Sequence, residues 1–93
     1  MSITRINEFQ ALEGQGNTLR DHIRSFIPMI ESLEGCRSCR ILQKQDGPSR
    51  IVVIEVWDNI EAHQASVKNI PPDALEKAMA LLASPPTGGY YNG

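Results

Sequence analysis

The feature that most constrains the fold is the run Ile-Val-Val-Ile-Glu-Val-Trp at residues 51–57. Apart from one glutamate, its side chains are β-branched or apolar at both odd and even positions. Because successive side chains of a strand point to opposite faces, the run predicts a β-strand that is buried on both sides. A chain of 93 residues has room for one domain only. We therefore expect a single domain over residues 1–93, whose tail from about residue 84 is rich in Gly and Pro.

Before this strand, the pattern predicts one helix. Apolar residues between positions 19 and 33 recur mostly every three or four residues, which is the spacing of one helix face. Asn17 or Thr18 is the expected N-cap, and Gly35 is expected to end the helix. Pro28 lies inside the pattern, where it removes a backbone donor, so we expect it to bend the helix.

Segments on either side of this helix predict further strands. Residues 3–11 combine apolar and polar side chains and end in a Gly-containing turn, as a strand does. Residues 36–45 and 50–57 flank the loop Asp-Gly-Pro-Ser at 46–49. This arrangement predicts an antiparallel hairpin whose second strand contains the apolar run.

The last third of the chain predicts two more helical segments. Asp58 and Glu61 resemble a capping box that opens a short helix ending near Lys68. Apolar residues within 75–82 are spaced as on one face of another helix. Residues 90–91 are expected either to form a short edge strand or to fray. This order of elements is typical of an α+β ferredoxin-like sandwich with an antiparallel sheet.

A sandwich of this kind leaves one sheet face uncovered, because its helices pack on the other face. Since the strand at residues 51–57 is apolar on both faces, the uncovered face must meet another apolar surface. A second copy of the chain is the simplest cover. We therefore expect a homodimer.

Composition and charge exclude several classes of function. Nine basic and eleven acidic residues give a net charge of −2, which offers no field for binding nucleic acid or an anionic membrane. No apolar stretch approaches the roughly 20 residues of a membrane span, and no N-terminal targeting segment is recognisable. Phosphate-binding Gly-rich loops and the Gly-x-Ser-x-Gly of serine hydrolases are absent from the sequence. We expect a cytoplasmic protein without nucleic-acid or membrane partners.

Three segments carry a resemblance to a known family. Residues 51–63 resemble the strand, tryptophan and helix signature of the antibiotic biosynthesis monooxygenase (ABM) domain family, which includes quinol monooxygenases. Residues 6–14 are similar to the family's first strand and turn. Residues 27–36 are similar to its first helix, proline included, and to the start of its second strand. The order and spacing of these segments extend the resemblance over roughly residues 3–83.

This resemblance implies a dimeric α/β barrel, in which two four-stranded sheets pack face to face. It also implies a pocket between sheet and helices for a small aromatic or quinol ligand. Several members of the family oxidise hydroquinones or polyketide phenols with O₂ and use no metal, flavin or haem. The implied activity is therefore a cofactor-independent monooxygenase that acts on a quinol or on a hydroxylated aromatic or polyketide compound.

The sequence also differs from members of this family. Ser66 stands where many quinol-oxidising relatives carry a histidine, and residues 70–73 stand where a second histidine is expected. Of the asparagine, tryptophan and histidine used by haem-degrading relatives, only Asn7 has a counterpart. The alternative function is a non-catalytic protein of the same fold that binds a small ligand or serves as an accessory subunit.

Three residues are candidates for catalysis. Oxygenation without a cofactor needs a base or a hydrogen-bond donor near the substrate oxygen. His22 and His63 are the two histidines of the chain, and imidazole is suited to taking a phenolic proton near neutral pH. Each of them could instead be a solvated helix residue. Asn7 could bind the resulting oxyanion, or it could be satisfied by a neighbouring group or water.

Three other residues are candidates for binding the substrate. Arg5 belongs to one face of the first strand, and Glu55 and Trp57 share one face of the third, but the alternation leaves open which faces look into the pocket. Trp57 is expected to line the pocket or the core rather than to take part in the chemistry. Phe26 lies on the apolar stripe of the first helix.

Cys36 and Cys39 have the Cys-x-x-Cys spacing of zinc sites and redox pairs. Residues three apart on a strand point to opposite faces, so the two sulfurs are not expected to bind one metal or to form a disulfide. A structural zinc ion would also need two more ligands at matching spacing, which the chain lacks. We expect neither a metal site nor a redox pair.

Overall fold

The computed structural model describes residues 2–93 and confirms the α+β architecture of the ferredoxin-like type. Within these residues, helices pack on one face of a four-stranded antiparallel sheet. The elements, in chain order, are β1 (Ile3–Gln10), α1 (Gly16–Arg24), α2 (Ile27–Glu31), β2 (Cys36–Gln43), β3 (Arg50–Trp57), α3 (Ile60–Ser66), a 3₁₀ helix (Val67–Asn69), α4 (Pro72–Ala80) and β4 (Thr87–Tyr91).

The strand order is β2-β3-β1-β4, so β3 and β1 form the centre of the sheet. β1 pairs with β3 in a register that opposes Arg5 to Glu55 and Asn7 to Val53. Directly opposed residues point to the same face, so these four side chains share one face. We call it the covered face, because the helices pack on it. Its central residues are Arg5, Asn7, Phe9, Ile51, Val53, Glu55 and Trp57. The large apolar side chains of the open face are those of Ile6, Leu42, Val52, Ile54, Val56 and Tyr91.

The covered face changes character along its length. Near Ile51 it is closed by a fully apolar cluster in which Ala11 and Leu19 are buried. Toward the other end of β3, the buried positions are Glu55 and Trp57, and a cavity separates the sheet from the helices. One end of the sandwich is therefore a dry core, and the other end carries the candidate site.

In the single chain, the open face of β3 is less buried than the covered face. Val52, Ile54 and Val56 are half-buried in the single chain, whereas the alternate residues of the strand are buried. Leu42 is 41% exposed and Tyr91 is 52% exposed on the same side. The helical connections all cross the covered face, so nothing within residues 2–93 covers the open face.

The predicted single helix is wrong, because two helices replace it. α1 ends at Arg24, and the backbone N–H of Ser25 and the Ser25 hydroxyl bond to the carbonyls of Asp21 and His22. Pro28 lies in the first turn of α2, where a missing N–H costs nothing. The proline therefore starts a new helix and does not bend one continuous helix. No residue of 2–93 other than Gly14 and Gly35 has a positive φ, and Gly35, at +86°, leads the chain into β2.

The predicted N-caps of α1 and α3 are wrong by one or more residues. The N-cap of α1 is Gln15, and the side chain of Asn17 instead accepts a hydrogen bond of 2.9 Å from Gln43 on β2. The N-cap of α3 is Asn59, whose Oδ1 accepts from the backbone of Ala62 at 2.8 Å. Asp58 forms an ion pair of 2.7 Å with an arginine of β2 instead.

Residues 90–91 belong to a strand, one of the two outcomes that the sequence left open. β4 pairs with β1, opposing Tyr90 to Arg5 and Gly88 to Asn7. The end of the chain thereby contributes an edge strand beside the candidate site. Among residues 2–93, no helix is both long and apolar enough to cross a membrane.

Candidate functional site

A cavity of about 250 Å³ lies between the covered face and the helices. Its walls are mostly apolar side chains from α1, α2, the 3₁₀ helix and α4. The polar and charged residues that line it are Arg5, Asn7, His22, Glu55, His63 and Ser66. This volume is just below the roughly 300–1,000 Å³ of typical small-molecule sites. The arrangement suits a compact, largely apolar ligand with a few polar groups.

Glu55 is the centre of the polar lining. It is 7% exposed, and both of its carboxylate oxygens accept hydrogen bonds. Trp57 Nε1 donates to Oε1 at 2.8 Å, and Asn7 Nδ2 donates to Oε2 at 3.0 Å. Burial raises the pKa of the Glu55 carboxyl, while the Trp57 hydrogen bond, the charge of Arg5 and the Asn7 hydrogen bond offset part of the rise. These two donors therefore hold a carboxyl group at the floor of an apolar cavity.

Arg5 joins this group through Asn7. Its Nε donates to Asn7 Oδ1 at 2.9 Å, and its guanidinium lies over the Tyr90 ring, 4.8 Å from the ring centroid. A Cβ atom on Gly88 would collide with the Arg5 guanidinium and approach Asn7 Oδ1 at 2.7 Å. The glycine of β4 therefore leaves the space that the arginine occupies.

His63 reaches the site from α3. Its Nδ1 is 2.8 Å from the Tyr90 hydroxyl, and its ring meets those of Trp57 and Tyr90 edge to face. Its Nε2 is 3.9 Å from Glu55 Oε1, which is longer than a hydrogen bond. Burial lowers the pKa of His63, and the charge of Arg5 lowers it further. The lowered pKa favours the neutral imidazole, which can accept a proton.

His22 has a different position, on the helical wall of the cavity. Its Nε2 lies 2.9 Å from the backbone oxygen of Ala74, so α1 and α4 are joined through this side chain. A carbonyl oxygen only accepts, so Nε2 carries the proton. The ring also packs edge to face on Phe26, with 5.2 Å between centroids. Part of the hydrogen-bonding capacity of His22 is thus used to hold two helices together.

The structure brings five of the six predicted site residues to one cavity. The residues that line it are Arg5, Asn7, His22, Phe26 and His63. Trp57 is the exception, because it is fully buried and does not line the cavity. Its indole donates to Glu55 and positions that carboxylate, so Trp57 occupies the core position that the sequence had left open beside the pocket wall. Direct contact between Trp57 and a ligand stays a prediction.

Two residues of the site were not predicted from the sequence. Glu55 is the single charged residue in the apolar run at 51–57, and a charge in a buried strand is a signal of function that could have identified it. Tyr90 lies in the Gly-rich tail, where its neighbours in sequence carry no such signal. Only the pairing of β4 with β1 brings it to His63.

Cys36 and Cys39 lie on the same face of the sheet, and the prediction of opposite faces is wrong, because β2 contains a bulge. The register opposes Cys36 to Trp57 and Cys39 to Glu55, so both cysteines belong to the covered face. Burial, followed by the charge of Glu55, raises the pKa of both thiols, and that of Cys39 rises to about 12. Protonated thiols are poor metal ligands and poor nucleophiles. Within residues 2–93, no three His, Cys, Asp or Glu side chains are grouped so that they could hold a metal ion.

Solved structures resemble this fold over almost its whole length. A proposed antibiotic biosynthesis monooxygenase from Chloroflexus aurantiacus is 27% identical, with a TM-score of 0.78 and coverage of 100% of this chain and 95% of that one. One from Nitrosomonas europaea is 19% identical, with a TM-score of 0.87 and coverages of 99% and 89%. SnoaB, a cofactor-independent oxygenase from Streptomyces nogalater solved as a point mutant, is 17% identical, with a TM-score of 0.82 and coverages of 99% and 92%.

In sequence, no curated protein matches the chain. The sequence profile of the family described as antibiotic biosynthesis monooxygenase matches residues 2–81, which include β1 to β3 and all the helices. This match covers most of the chain and agrees with the ferredoxin-like fold and its cavity. The chain therefore belongs to the antibiotic biosynthesis monooxygenase family.

Proposed function

We propose that the protein is a cofactor-independent monooxygenase and that its cavity binds a quinol or another hydroxylated aromatic compound. The observation that carries this proposal is the hydrogen-bonded pair Asn7 and Glu55, with His63 3.9 Å from Glu55, at the floor of an otherwise apolar cavity. Apolar walls suit an aromatic ring, and the polar floor suits its hydroxyl groups. Membership of the family, and the fold shared with a cofactor-independent oxygenase, support the same class of reaction.

The reaction begins with removal of a phenolic proton. His63 is the proposed base, because its lowered pKa favours the neutral form and its Nε2 is not engaged in a hydrogen bond within residues 2–93. The proton moves to Nε2, and the imidazolium then faces the Glu55 carboxyl group 3.9 Å away. Asn7 provides an N–H group near the phenolate oxygen. The apolar walls exclude water, which strengthens these interactions.

The electron balance requires no reductant besides the substrate. A hydroquinone gives up four electrons when it becomes a hydroxyquinone, and O₂ accepts all four. One oxygen atom is inserted at a ring carbon. The other leaves as water, which takes the two hydrogens that the substrate loses, including the proton held by His63. O₂ is therefore the only co-reactant.

We also propose that the open face is covered by a second copy of the chain, as in the dimeric α/β barrel that the family resemblance implies. The support is its half-buried aliphatic surface in the centre of the sheet. The residues of the cavity belong to the covered face, to the helices and to the turns that adjoin the helices. The homodimer would therefore stabilise the sheet that carries the site without adding groups to the chemistry described above.

Oxygen consumption with a panel of hydroquinones and polyhydroxylated aromatics tests the proposed activity. The assay contains a chelator and no added flavin or haem, and the autoxidation rate is subtracted. We expect His63→Ala and Asn7→Ala to lower the rate by roughly 10²-fold, because each removes a group beside the phenolic oxygen. His22→Ala is expected to have a smaller effect through the position of α4. Gln64→Ala, an exposed neighbour of His63, is the matched control.

The non-catalytic alternative is favoured by Ser66. It lines the cavity at the position where many quinol-oxidising relatives carry a histidine, and its hydroxyl is bonded to the backbone oxygen of His63. If the parent protein binds phenols but never exceeds the autoxidation rate, this alternative becomes the better account.

A further inference from the structure

We infer that the ligand of this cavity is an anion, a hydroxylated aromatic compound with an ionised acidic group that pairs with Arg5. This inference rests on the proposed function, because it specifies the substrate class of the same site. The acidic group is a carboxylate or an equally acidic enol, and it lies at the β4 side of the cavity, away from the hydroxyl that meets His63.

The first observation is that Arg5 is oriented but not neutralised. The Nε hydrogen bond to Asn7 and the stacking on Tyr90 fix the plane of the guanidinium. The Nη groups form no hydrogen bond or ion pair with any of residues 2–93. Among residues 2–93, every buried side-chain nitrogen has a hydrogen-bond partner. Because the Nη groups have none, they are accessible to solvent.

The second observation is the position of Asn7 between the two charges of the cavity. Its Oδ1 accepts from Arg5, and its Nδ2 donates to Glu55. The amide therefore separates the guanidinium from the carboxyl group, which lies beyond ion-pair distance. Glu55 is also satisfied by Trp57 on its other oxygen. The one acidic residue that lines the cavity is thus committed to other partners.

A cation beside apolar walls favours an anionic partner once a ligand has displaced the water around it. A guanidinium with free Nη groups can donate two parallel hydrogen bonds to a carboxylate. Arg5 is the only Lys or Arg among the residues that line the cavity, so this end of the site is where a ligand anion would bind. A neutral phenol would leave the guanidinium desolvated and unpaired.

Calorimetric titration with 2,5-dihydroxyphenylacetate and its methyl ester tests the inference. The two compounds have the same hydroquinone ring and differ in one negative charge. The titrations are made without oxygen near pH 7, so that no turnover occurs. We expect the parent protein to bind the carboxylate about tenfold or more tightly than the ester. Arg5→Gln should remove this preference, and Arg5→Lys should retain part of it. Arg24→Gln, an exposed arginine of α1, is the control.

Equal or weaker binding of the carboxylate by the parent would overturn the inference and leave the phenol site intact. A preference that persists in Arg5→Gln would overturn it too, since the anion would then bind elsewhere. Binding of neither compound, nor of any other phenol in the panel, would instead contradict the proposed function, and the inference with it. If Arg5→Gln does not fold, the preference for the carboxylate over the ester is measured in the parent and in Arg5→Lys, at low and at higher salt. A preference that is smaller in Arg5→Lys and falls with added salt supports pairing with Arg5. A preference that is equal in both proteins and insensitive to salt overturns it.

Discussion

The two faces of the sheet distribute polar and apolar side chains in opposite ways. The covered face buries Glu55 and places Arg5 and Asn7 beside it, while the open face leaves Ile54 and its aliphatic neighbours half-exposed. Simple burial would favour the reverse arrangement. Polar groups are retained inside because they satisfy one another around a cavity. Apolar groups remain outside because, in the proposed dimer, a second chain covers them.

The largest expected difference between the faces concerns aspartate substitutions at adjacent positions of β3. Val53 is 3% exposed on the covered face, and Ile54 is half-buried on the open face. Val53→Asp places a charge in the core and should lower the free energy of unfolding by about 3 kcal/mol or more. Ile54→Asp should instead leave a folded chain that no longer dimerises. Urea denaturation and light scattering measure the two effects.

The comparison would fail if Ile54→Asp remained a dimer at micromolar concentration, or if the parent were a stable monomer. In either case the open face would not be an interface between copies. If Val53→Asp retained the parent's unfolding midpoint, the assignment of the covered face to the core would be wrong.

Trp57→Phe isolates the hydrogen bond that holds Glu55. It removes the Nε1 donor, which lies 2.8 Å from Oε1, and leaves a buried carboxylate oxygen without this partner. We expect the free energy of unfolding to fall by about 1–3 kcal/mol. Chemical denaturation of the parent, Trp57→Phe, Glu55→Gln and the double variant gives a double-mutant cycle. The two changes should be less than additive, and strict additivity would show that the indole does not stabilise the carboxylate.

Two neighbouring glycines of β4 test the faces with the smallest possible change. A Cβ at Gly88 collides with the Arg5 guanidinium, whereas a Cβ at Gly89 meets the Tyr91 ring no closer than 3.5 Å. Gly88→Ala should cost about 1–2 kcal/mol and weaken ligand binding, because Arg5 and Asn7 must move. Gly89→Ala should stay within about 0.5 kcal/mol of the parent. Equal effects of the two substitutions would contradict the position of the Arg5 guanidinium against Gly88.

The smallest expected effect is the pH dependence that Glu55 gives to stability. Burial raises its pKa above the ordinary value of 4.5, so the native state binds more protons than the unfolded state as pH rises from that value. The free energy of unfolding should therefore fall with rising pH in this interval. Glu55→Gln should remove the fall, while Glu34→Gln, an exposed carboxyl group, is the control. Identical pH profiles for the parent and Glu55→Gln would contradict the raised pKa.

His63 contributes a pH dependence of the opposite sign. Burial lowers its pKa below the ordinary value of 6.5, so the unfolded state binds more protons as pH falls below that value. The free energy of unfolding should then decrease as pH falls through this range. His63→Gln should flatten this part of the profile.

Much of the fold could be predicted from the sequence, because the apolar run of β3 and the resemblance at residues 51–63 are local patterns. The features that the sequence predicted wrongly, the helix caps and the face of the two cysteines, involve contacts between distant segments. Asn17 lies inside α1 and bonds to Gln43 of β2, and Asp58 precedes the N-cap of α3 and pairs with Arg37 of β2. A bulge in β2 brings Cys39 and Cys36 to one face, and no spacing in the sequence announces such a bulge.

The sequence by itself determined that Arg5 and Asn7 share one face of β1 and that imidazole is present at two positions only. The tertiary structure alone decided which of them meet. The β1–β3 register opposes Arg5 to Glu55, and the pairing of β4 delivers Tyr90 to His63 across 27 residues. Alternation is a property of one strand and can be read locally. The choice of face, and hence the site, depends on register between strands and on which face the helices cover, and these follow from the packing of the whole chain.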